Sequence, residues 1–322
     1  MRRALILGAT GQDGQFLANL LLNLNYEVLG ASRNLPNWRT NPLELLRPEH
    51  KIVDVANFLD LFRLIEAFMP NEIYNLSGES SVARSFLNPT DTASSNVMGV
   101  LNLLNVVREL GIQERVRIFQ ASSSDMFGPS ELQLCETSHL SPKSPYGISK
   151  FLAHRMCLQY RERFGIWVSS GILFNHESEL RPQHFVFQKI IRSLVEISQG
   201  KRQFLELGNL EIYRDWGYAG DYVEAMHKSL QSNDAQDYVI ATGRLNSLGN
   251  VIEKTCELLG LGSAMETLVK INPSLIRPLD IERTWGDPRL AEERLGWRAK
   301  TTFEELIEKM VRVNLRKLNE AD

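Results

Sequence analysis

The chain has 322 residues, of which 43% are apolar and 23% charged, and its formal net charge is −3. This composition is typical of a soluble globular protein, and it indicates neither a nucleic-acid partner nor a basic membrane anchor. Apolar runs such as 16–24 are shorter than the roughly 20 residues that cross a bilayer. We therefore predict no membrane-spanning segment and no signal peptide.

Strand-like apolar runs alternate with amphipathic stretches of helical length in the first half of the chain. The predicted strands cover 3–7, 26–32, 51–55, 72–77, 116–122 and 167–174. The predicted helices cover 13–24, 57–68, 90–110 and 145–164. Apolar strands separated by crossover helices indicate a parallel sheet with helices on both faces. The sequence therefore predicts an α/β fold with a doubly wound, Rossmann-like sheet.

The alternation loosens after about residue 175, where Arg-Pro pairs occur at 181–182 and 277–278. We expect a dinucleotide-binding domain over 1–174, with segments after 205 returning to it. Residues 175–322 are predicted to form mainly a smaller C-terminal substrate-binding lobe.

A glycine-rich loop, GATGQDG at 8–14, follows the first predicted strand and opens the first helix. Its spacing is GxxGxxG rather than GxGxxG. Glycines allow a tight turn and let backbone N–H groups approach a pyrophosphate at the helix N-terminus. The alternative is a tight strand-to-helix turn, but the place of the loop at the start of a βαβ unit favours a dinucleotide site.

The ends of the second and third predicted strands bear on the type of cofactor. The second strand ends in ASRN at 31–34, where no acid can bind the ribose hydroxyls of NAD. Arg33 suits a 2′-phosphate and predicts NADP, with NAD possible; the alternative is a solvent-facing loop arginine. Asp54 and Val55 either bracket the adenine or belong to a strand end whose acid caps the next helix.

Tyr146 and Lys150 lie four residues apart on a predicted helix and therefore share a face. An ammonium group near the phenol favours the phenolate and would lower the pKa of the tyrosine, which could then accept a proton from a hydroxyl. The alternative is a surface helix pair. The polar stretch QASSSDMFG at 120–128 follows a buried strand, and its place after a dinucleotide loop favours an active-site edge over a simple turn.

Cys135, Cys157 and Cys256 are widely separated and show neither CxxC nor Cys/His spacing. This pattern argues against a disulfide framework and against a structural zinc site. We expect no bound metal and a reducing, cytoplasmic location.

Motifs along nearly the whole chain, from residue 4 to about 315, carry a family resemblance. They read GATGQDG, YNLSGESS, QASSSDMFG, SPYGISK, GILFNHES, LGNLEIYRDWG, DYVEAM, DYVIATG and LGW. With these motifs the chain resembles the GDP-mannose 4,6-dehydratase family of the extended short-chain dehydrogenase/reductase superfamily.

The resemblance implies an NADP cofactor held by residues of several loops. They are Gly8, Ala9, Thr10, Gly11, Gln12, Asp13, Arg33, Asp54, Val55, Leu76, Ser77, Gly78, Glu79, Ser80, Tyr146, Lys150, His176 and Arg181. Glu79 departs from the glutamine usual at its position, and its charge would disfavour phosphate unless neighbours compensate. For His176 and Arg181 the alternatives are a satisfied buried histidine and a loop arginine.

A GDP-sugar substrate is likewise implied. The residues implied for it are Ser123, Asn175, Lys189, Arg214 and Arg277. Each cation could instead be a surface residue, and Asp215 could belong to a packed structural ion pair. The resemblance also suggests a homodimer or homotetramer.

The implied catalytic residues are Ser123, Asp125, Tyr146 and Lys150. Where the family pattern has Thr, Ser, Glu, this chain has Ser123, Ser124 and Asp125. Asp125 shortens the carboxylate arm by roughly 1.5 Å, and a misplacement of about 1 Å can cost about a hundredfold in rate. Both Ser123 and Asp125 could alternatively cap a turn.

These implications predict a GDP-mannose 4,6-dehydratase or a close GDP-hexose or GDP-heptose dehydratase. A GDP-sugar 4-oxidoreductase or epimerase would need Tyr146 and Lys150 but no base for carbon 5. A third hypothesis is a non-catalytic dinucleotide sensor, which has no need of an activated phenol.

Overall fold

The computed structural model describes residues 1–35, 43–262, 265–275 and 281–320. The strands of the first half are β1 (Arg3–Leu7), β2 (Glu27–Ser32), β3 (Glu49–Ile52), β4 (Glu72–Asn75), β5 (Arg117–Ser123), β6 (Val168–Leu173) and β7 (Asn175–Glu177). Those of the second half are β8 (Leu205–Leu207), β9 (Tyr213–Arg214), β10 (Trp216–Tyr218), β11 (Tyr238–Ile240), β12 (Asn246–Ser247), β13 (Val269–Ile271) and β14 (Arg283–Thr284).

Helices alternate with these strands through most of the chain. They are α1 (Gln12–Asn23), α2 (Phe58–Phe68), α3 (Val82–Leu87), α4 (Pro89–Ala93), α5 (Gly99–Glu109), α6 (Pro145–Phe164), α7 (Val186–Ser198), α8 (Ala219–Gln231), α9 (Leu248–Leu258), α10 (Met265–Leu268), α11 (Arg289–Leu295) and α12 (Phe303–Asn319). Among the described residues none of these helices is long and apolar enough to cross a membrane.

Within the described ranges, seven strands form a parallel sheet in the order β11-β6-β5-β4-β1-β2-β3. The order reverses direction between β1 and β4. Ligands of doubly wound sheets bind outside the carboxyl ends of the strands at this point. The predicted Rossmann-like α/β fold is confirmed.

Both faces of the sheet are buried, which explains why the strands read as continuous apolar runs. Successive side chains of a strand point to opposite faces. In β1, Ile6 accordingly packs in a cluster with α1 and α8, whereas Leu5 and Leu7 pack in a second cluster with α2, α5 and α6. Burial of each such side chain contributes about 1.5–3 kcal/mol.

A third cluster lies in the second half of the chain, where α7, α9 and α12 pack together with β8. The neighbouring segments β11 and α8 do not belong to it, because β11 pairs with β6 and α8 packs on α1. Segments from beyond residue 205 thus take part in the first sheet. The division of the chain at residue 174 stays a prediction.

Two predicted elements differ in detail from the structure, and one further helix lies where none is predicted. The strand expected at 51–55 is β3 at Glu49–Ile52, because its partner β2 ends at Ser32, which pairs with Ile52. The helix expected at 90–110 is α4 and α5 joined by a π-helical turn at Ser94–Met98. The short helix α3 precedes them and was not predicted.

Candidate active site

A cleft of about 830 Å³ opens at the carboxyl ends of the parallel strands. Most of the predicted site residues line it. They are Gly8, Thr10, Gly11, Gln12, Asp13, Arg33, Val55, Leu76, Ser77, Gly78, Ser80, Ser123, Asp125, Tyr146, Lys150, Asn175, His176, Arg181, Lys189 and Arg214. Of the other predicted residues that the structure describes, Ala9, Asp54 and Glu79 do not line the cleft. Arg277 lies outside the described residues.

The glycine loop turns the chain from β1 into α1 at one end of the cleft. Gly8 has a φ of +88°, which favours glycine, and its N–H donates to Ala31 O at 2.8 Å. A Cβ on Gly14 would lie 2.5 Å from Gly8 O, so the loop requires glycine there too. Within the described part of the chain no side chain caps the N-terminus of α1. Its first-turn N–H groups therefore suit the pyrophosphate of a dinucleotide.

Gln12 and Asp13, in the first turn of α1, contact the strand β7 across the cleft. The amide nitrogen of Gln12 donates to Asp13 Oδ1 at 3.1 Å and to His176 O at 3.2 Å. The ring of His176 bonds to Asp13 Oδ2 at 2.9 Å. The first half and the second half of the chain are thus linked at the loop predicted to hold the cofactor.

At the adenine end, the structure separates the residues that had been predicted together. Arg33 is exposed just beyond β2 and lines the cleft. Val55 also lines the cleft, whereas Asp54 does not. The carboxylate of Asp54 accepts a hydrogen bond from Ala56 N at 3.0 Å and closes a turn. The helix-capping alternative for Asp54 is wrong, because Asn57 is the residue that caps α2.

Glu79 lies behind the cleft wall rather than on it. Its carboxylate accepts from Ser80 N at 3.0 Å and from Ser81 N at 2.8 Å, and it forms an ion pair with Arg84 at 3.3 Å. The charge that departs from the family pattern is therefore compensated by a neighbouring arginine.

Tyr146 and Lys150 lie in the first two turns of α6, which begins after the N-cap Ser144 with proline at its first position. Both side chains are buried, and the Lys150 ammonium donates to Ala121 O at 3.0 Å. Burial lowers the pKa of Lys150 to about 8.

The predicted lowering of the Tyr146 pKa is wrong for this structure. Burial, and next the charge of Asp125, raise the pKa of the phenol, while a hydrogen bond with Ser123 partly offsets them. The Lys150 ammonium lies 5.9 Å from the centre of the tyrosine ring and is directed to Ala121 O. Burial and Asp125, rather than Lys150, therefore set the direction in which the pKa of Tyr146 is shifted.

Ser123 ends β5 and Asp125 lies in the 3-10 turn Ser124–Met126 that follows it. The hydroxyl of Ser123 accepts from Asp125 N at 3.2 Å, so the turn-capping alternative applies to Ser123 in addition to its contact with Tyr146. A Cβ on Gly147 would lie only 2.7 Å from Asp125 O. This close approach holds the turn against α6 and fixes where the carboxylate starts.

Apart from Ser123, the residues expected around a sugar nucleotide come from the second half of the chain. Asn175 opens β7, Lys189 Nζ donates to Glu206 O at 2.8 Å, and Arg214 Nη1 donates to Tyr213 O at 2.9 Å. Burial lowers the pKa of Lys189. Asn175, Lys189 and Arg214 all line the cleft, together with the glycine loop.

Asp215, next to Arg214, has a structural role of a different kind from the predicted ion pair. Its carboxylate accepts from Thr242 N at 2.9 Å, from Thr242 Oγ1 at 2.6 Å and from Gly243 N at 2.8 Å. Burial raises its pKa to about 6. The alternative of an ion pair is wrong, since the bonds are made by a hydroxyl and backbone amides.

Sequence reasoning missed several residues at the cleft wall, among them Arg84, Lys143 and His184. Burial, and next the charges of Arg181 and Arg84, lower the pKa of His184, which places these cations around one part of the wall. They lie on loops and on the short helix α3, where no periodicity or spacing marks a functional side chain.

The chain was compared with known proteins. The model of the GDP-mannose 4,6 dehydratase family matches residues 5–310. GDP-mannose 4,6-dehydratase of Vibrio cholerae is 36% identical and covers 98% of this chain and 94% of its own length. GDP-mannose 4,6 dehydratase 1 of Arabidopsis thaliana is 38% identical, with 96% and 88% covered.

Several solved structures share the fold. MoeE5 in complex with UDP-glucose and NAD has a TM-score of 0.84 at 23% identity, covering 98% of this chain and 99% of its own. RMD from Pseudomonas aeruginosa, complexed with NADPH, has a TM-score of 0.83 at 22% identity, with 98% and 100% covered. The family model that matches residues 5–310, together with the relatives from Vibrio cholerae and Arabidopsis thaliana at 36% and 38% identity, shows that the chain belongs to the GDP-mannose 4,6-dehydratase family.

Proposed function

We propose that the chain is a GDP-mannose 4,6-dehydratase, acting on GDP-mannose or a close GDP-hexose or GDP-heptose. The product is the 4-keto-6-deoxy sugar nucleotide. The observation that carries the proposal is that Tyr146, Ser123 and Asp125 line one cleft with a glycine loop suited to a dinucleotide. A nearly complete set of the residues expected for the sugar nucleotide lines the same cleft.

The open N-terminus of α1 fits a nicotinamide dinucleotide, with Arg33 at the adenosine end and Lys150 at the nicotinamide end. When bound, this cofactor supplies a hydride acceptor for carbon 4 and a hydride donor for carbon 6, so no net oxidation occurs. We assign NADP, because Arg33 can pair with a 2′-phosphate and an acid that would hold the ribose hydroxyls is missing from 31–34.

Tyr146 and Ser123 act on the oxygen of carbon 4. The Ser123 hydroxyl, which bonds to the phenol in the structure, also holds the sugar oxygen, and the tyrosinate takes its proton. The negative charge of Asp125 strengthens the phenolate as a base, since it raises the proton affinity of the phenol. Lys150, bonded to Ala121 O, adds a cation near the buried phenol.

Asp125 acts next, on the proton of carbon 5. The ketone at carbon 4 acidifies this proton, the carboxylate takes it, and the hydroxyl of carbon 6 leaves as water with a proton from the carboxylic acid. The proton that Tyr146 took from the hydroxyl of carbon 4 balances the proton that then returns to carbon 5. Asp125 is half-buried and starts from a turn packed on Gly147, so its shorter arm keeps the carboxylate nearer its own backbone than a glutamate would.

The product assay tests the proposal. GDP-mannose and GDP-manno-heptose, incubated separately, should give a product lighter by one water without cofactor consumption. Asp125→Asn should abolish water loss but leave oxidation at carbon 4, and Tyr146→Phe should stop both. Accumulation of a 4-keto product that keeps its water, with either substrate, would instead favour a GDP-sugar 4-oxidoreductase or epimerase. Turnover that depends on Tyr146 would exclude the sensor hypothesis.

We also propose that two copies associate through neighbouring helices. Large apolar side chains are exposed on α3 and α6 and in the π-helical turn before α5, which pack against one another. They are Phe86, Leu87, Met98, Ile148 and Leu152. Contiguous exposed apolar surface of this kind marks an interaction site.

The free thiols of Cys135, Cys157 and Cys256 support a reducing compartment.

A further inference from the structure

The glycine loop contacts β7 through two side chains that can both carry a charge, Asp13 and His176. One ring nitrogen of His176, Nε2, lies 2.9 Å from Asp13 Oδ2, and the other, Nδ1, lies 2.7 Å from Phe174 O. Both residues line the cleft, and only about a tenth of the imidazole is exposed.

Both ring nitrogens of His176 face groups that accept hydrogen bonds. A carbonyl oxygen cannot donate, and neither can an ionised carboxylate, so satisfying both contacts requires a proton on each nitrogen. The imidazole is therefore held as a cation. The face of the ring stacks on Tyr222 with 4.6 Å between the ring centres, which fixes its orientation.

Asp13 lies where its negative charge is unfavourable for binding the pyrophosphate of the cofactor. It lies in the first turn of α1, whose uncapped N–H groups face the cofactor pyrophosphate under the proposed function. An anion there and the pyrophosphate would repel each other. Gln12 donates to the second carboxylate oxygen, which fixes the carboxylate but leaves its charge unchanged.

We propose that His176 is a positioning residue for cofactor binding: its imidazolium neutralises Asp13 and ties the glycine loop to β7. This inference rests on the proposed function for the identity of the cofactor. His176 then acts on the dinucleotide through the charge of Asp13. The neutral pair permits the pyrophosphate to approach α1, and loss of the proton from His176 leaves an anion beside it.

The groups that face this pair come from each element packed around it. They are Asp13 on α1, Glu177 on β7, Arg181 after β7, Tyr222 on α8, and Tyr146 and Lys150 on α6. Burial opposes the charge of His176, but Asp13 outweighs burial and raises the pKa of the imidazole. The pKa of Asp13 is lowered, because His176 outweighs burial there as well. The pair therefore loses its neutrality on the alkaline side, by release of the histidine proton.

Binding of NADPH, followed by the fluorescence of its reduced nicotinamide without any GDP-sugar, tests this inference. Dissociation constants are measured between about pH 6 and about pH 10, across the range in which histidine titrates. The proteins are the wild type, His176→Gln, Asp13→Asn and the double variant. Ratios between proteins cancel the titration of the 2′-phosphate, which all of them share. The titration of Lys150 cancels between the wild type and His176→Gln, which both keep the Asp13 carboxylate that raises the pKa of Lys150.

At the acidic end His176→Gln should bind NADPH about tenfold more weakly than the wild type, because one charge is left unneutralised. The ratio should approach one at the alkaline end, where the wild type has lost its proton. The double variant should regain wild-type affinity at the acidic end. His227→Gln, a partly buried histidine that bonds to Tyr26 away from the cleft, should give a ratio of one throughout.

A ratio for His176→Gln that does not change with pH, or a double variant that binds no better than His176→Gln, would overturn the inference. If His176→Gln does not fold, Asp13→Asn decides: it should bind like the wild type at acidic pH and about tenfold more tightly at alkaline pH. Equal affinities at both ends would overturn the inference. Since no sugar nucleotide is present, either result leaves the dehydration assay to judge the proposed function separately.

Discussion

Asp125 acts on Tyr146 through its charge, in addition to the proton abstraction that we assign to it. The carboxylate raises the pKa of the phenol, second only to burial. Two anions this close are unfavourable together, so uptake of the first proton by Tyr146 removes the repulsion that Asp125 creates. Oxidation at carbon 4 and proton removal at carbon 5 are thereby ordered by electrostatics.

Replacing Asp125 by asparagine should therefore shift the pH dependence of the first step. With the carboxylate gone the pKa of Tyr146 falls, and the rising limb of oxidation at carbon 4 moves to lower pH. The measurement is the pH profile of reduced-nicotinamide absorbance in a single turnover with GDP-mannose. Asp125→Glu, which keeps the charge, should leave the limb in place. A shift of equal size in both variants would contradict this electrostatic role.

Lys150 carries a stability cost that function explains. Its pKa is lowered to about 8 from an ordinary 10.5, so the unfolded chain binds more protons than the folded one between these values. The free energy of unfolding consequently rises as pH rises through that interval, because the folded chain no longer has to hold a charged lysine. The cost is largest at neutral pH, where the buried side chain is charged.

Lys150→Met should accordingly stabilise the protein while abolishing turnover. At neutral pH we expect the free energy of unfolding to rise by about 2 kcal/mol, because a buried charge is removed. The gain should shrink as pH rises to the lysine's ordinary pKa. Urea unfolding at several pH values measures it, and Lys143→Met, an exposed lysine at the cleft, serves as control. A variant equally destabilised at all pH values would show that the lost bond to Ala121 O dominates.

At the scale of elements, the position of the catalytic turn depends on how closely it packs on α6. Asp125 O approaches Gly147 so closely that no side chain fits between them. One side of this contact is the 3-10 turn and the other is the first turn of α6. Neither backbone segment can move aside easily in a closely packed interior.

Gly147→Ala should move this turn, and so both slow water loss and weaken the fold. We expect a loss of stability of about 1–3 kcal/mol, as for overpacking of a core, and at least about a tenfold fall in the rate of dehydration. Thermal unfolding and the product assay measure the two effects. Gly262→Ala, where an added Cβ meets open space, should change neither. Unchanged dehydration in a destabilised Gly147→Ala would contradict the positioning role.

The elements that could be predicted from sequence are those long enough to show a period. The first strand and α6 were placed to within a residue, since α6 has a cap and proline at its start and Gly165 at its end. Strands of two residues, such as β9, β12 and β14, show no period at all. Their pairing depends on tertiary contacts that join distant parts of the chain.

The same limit applies to the candidate site. The glycine loop and the Tyr146–Lys150 pair could be predicted from sequence because their residues have fixed local spacing. The fold then places them in one cleft. The link between Asp13 and His176 joins residues 163 positions apart, and no local pattern announces it. The direction of the Tyr146 shift was also beyond reach, because burial and the distance of the lysine ammonium are properties of the folded chain.

At the scale of the whole molecule, several exposed apolar side chains lie on α6 and on elements that pack against it. Ile148 and Leu152 lie one turn apart on α6, immediately after Tyr146, and are 47% and 41% exposed. Leu87 on the adjoining α3 is 78% exposed. A second copy covering this surface would also hold α6, and with it the phenol, in place.

Ile148→Glu with Leu152→Glu should therefore separate the copies and lower turnover together. Two carboxylates in an apolar interface cost several kcal/mol, about 2–5 for unpaired buried charges, which is enough to make a dimer of ordinary affinity dissociate at micromolar concentration. Light scattering on a sizing column measures the mass, and the product assay the activity. Leu258→Glu, which changes a 51% exposed leucine on α9, away from this surface, should leave both unchanged. A wild type that elutes as a monomer, or a double variant that keeps the wild-type mass, would show that these helices do not form the interface.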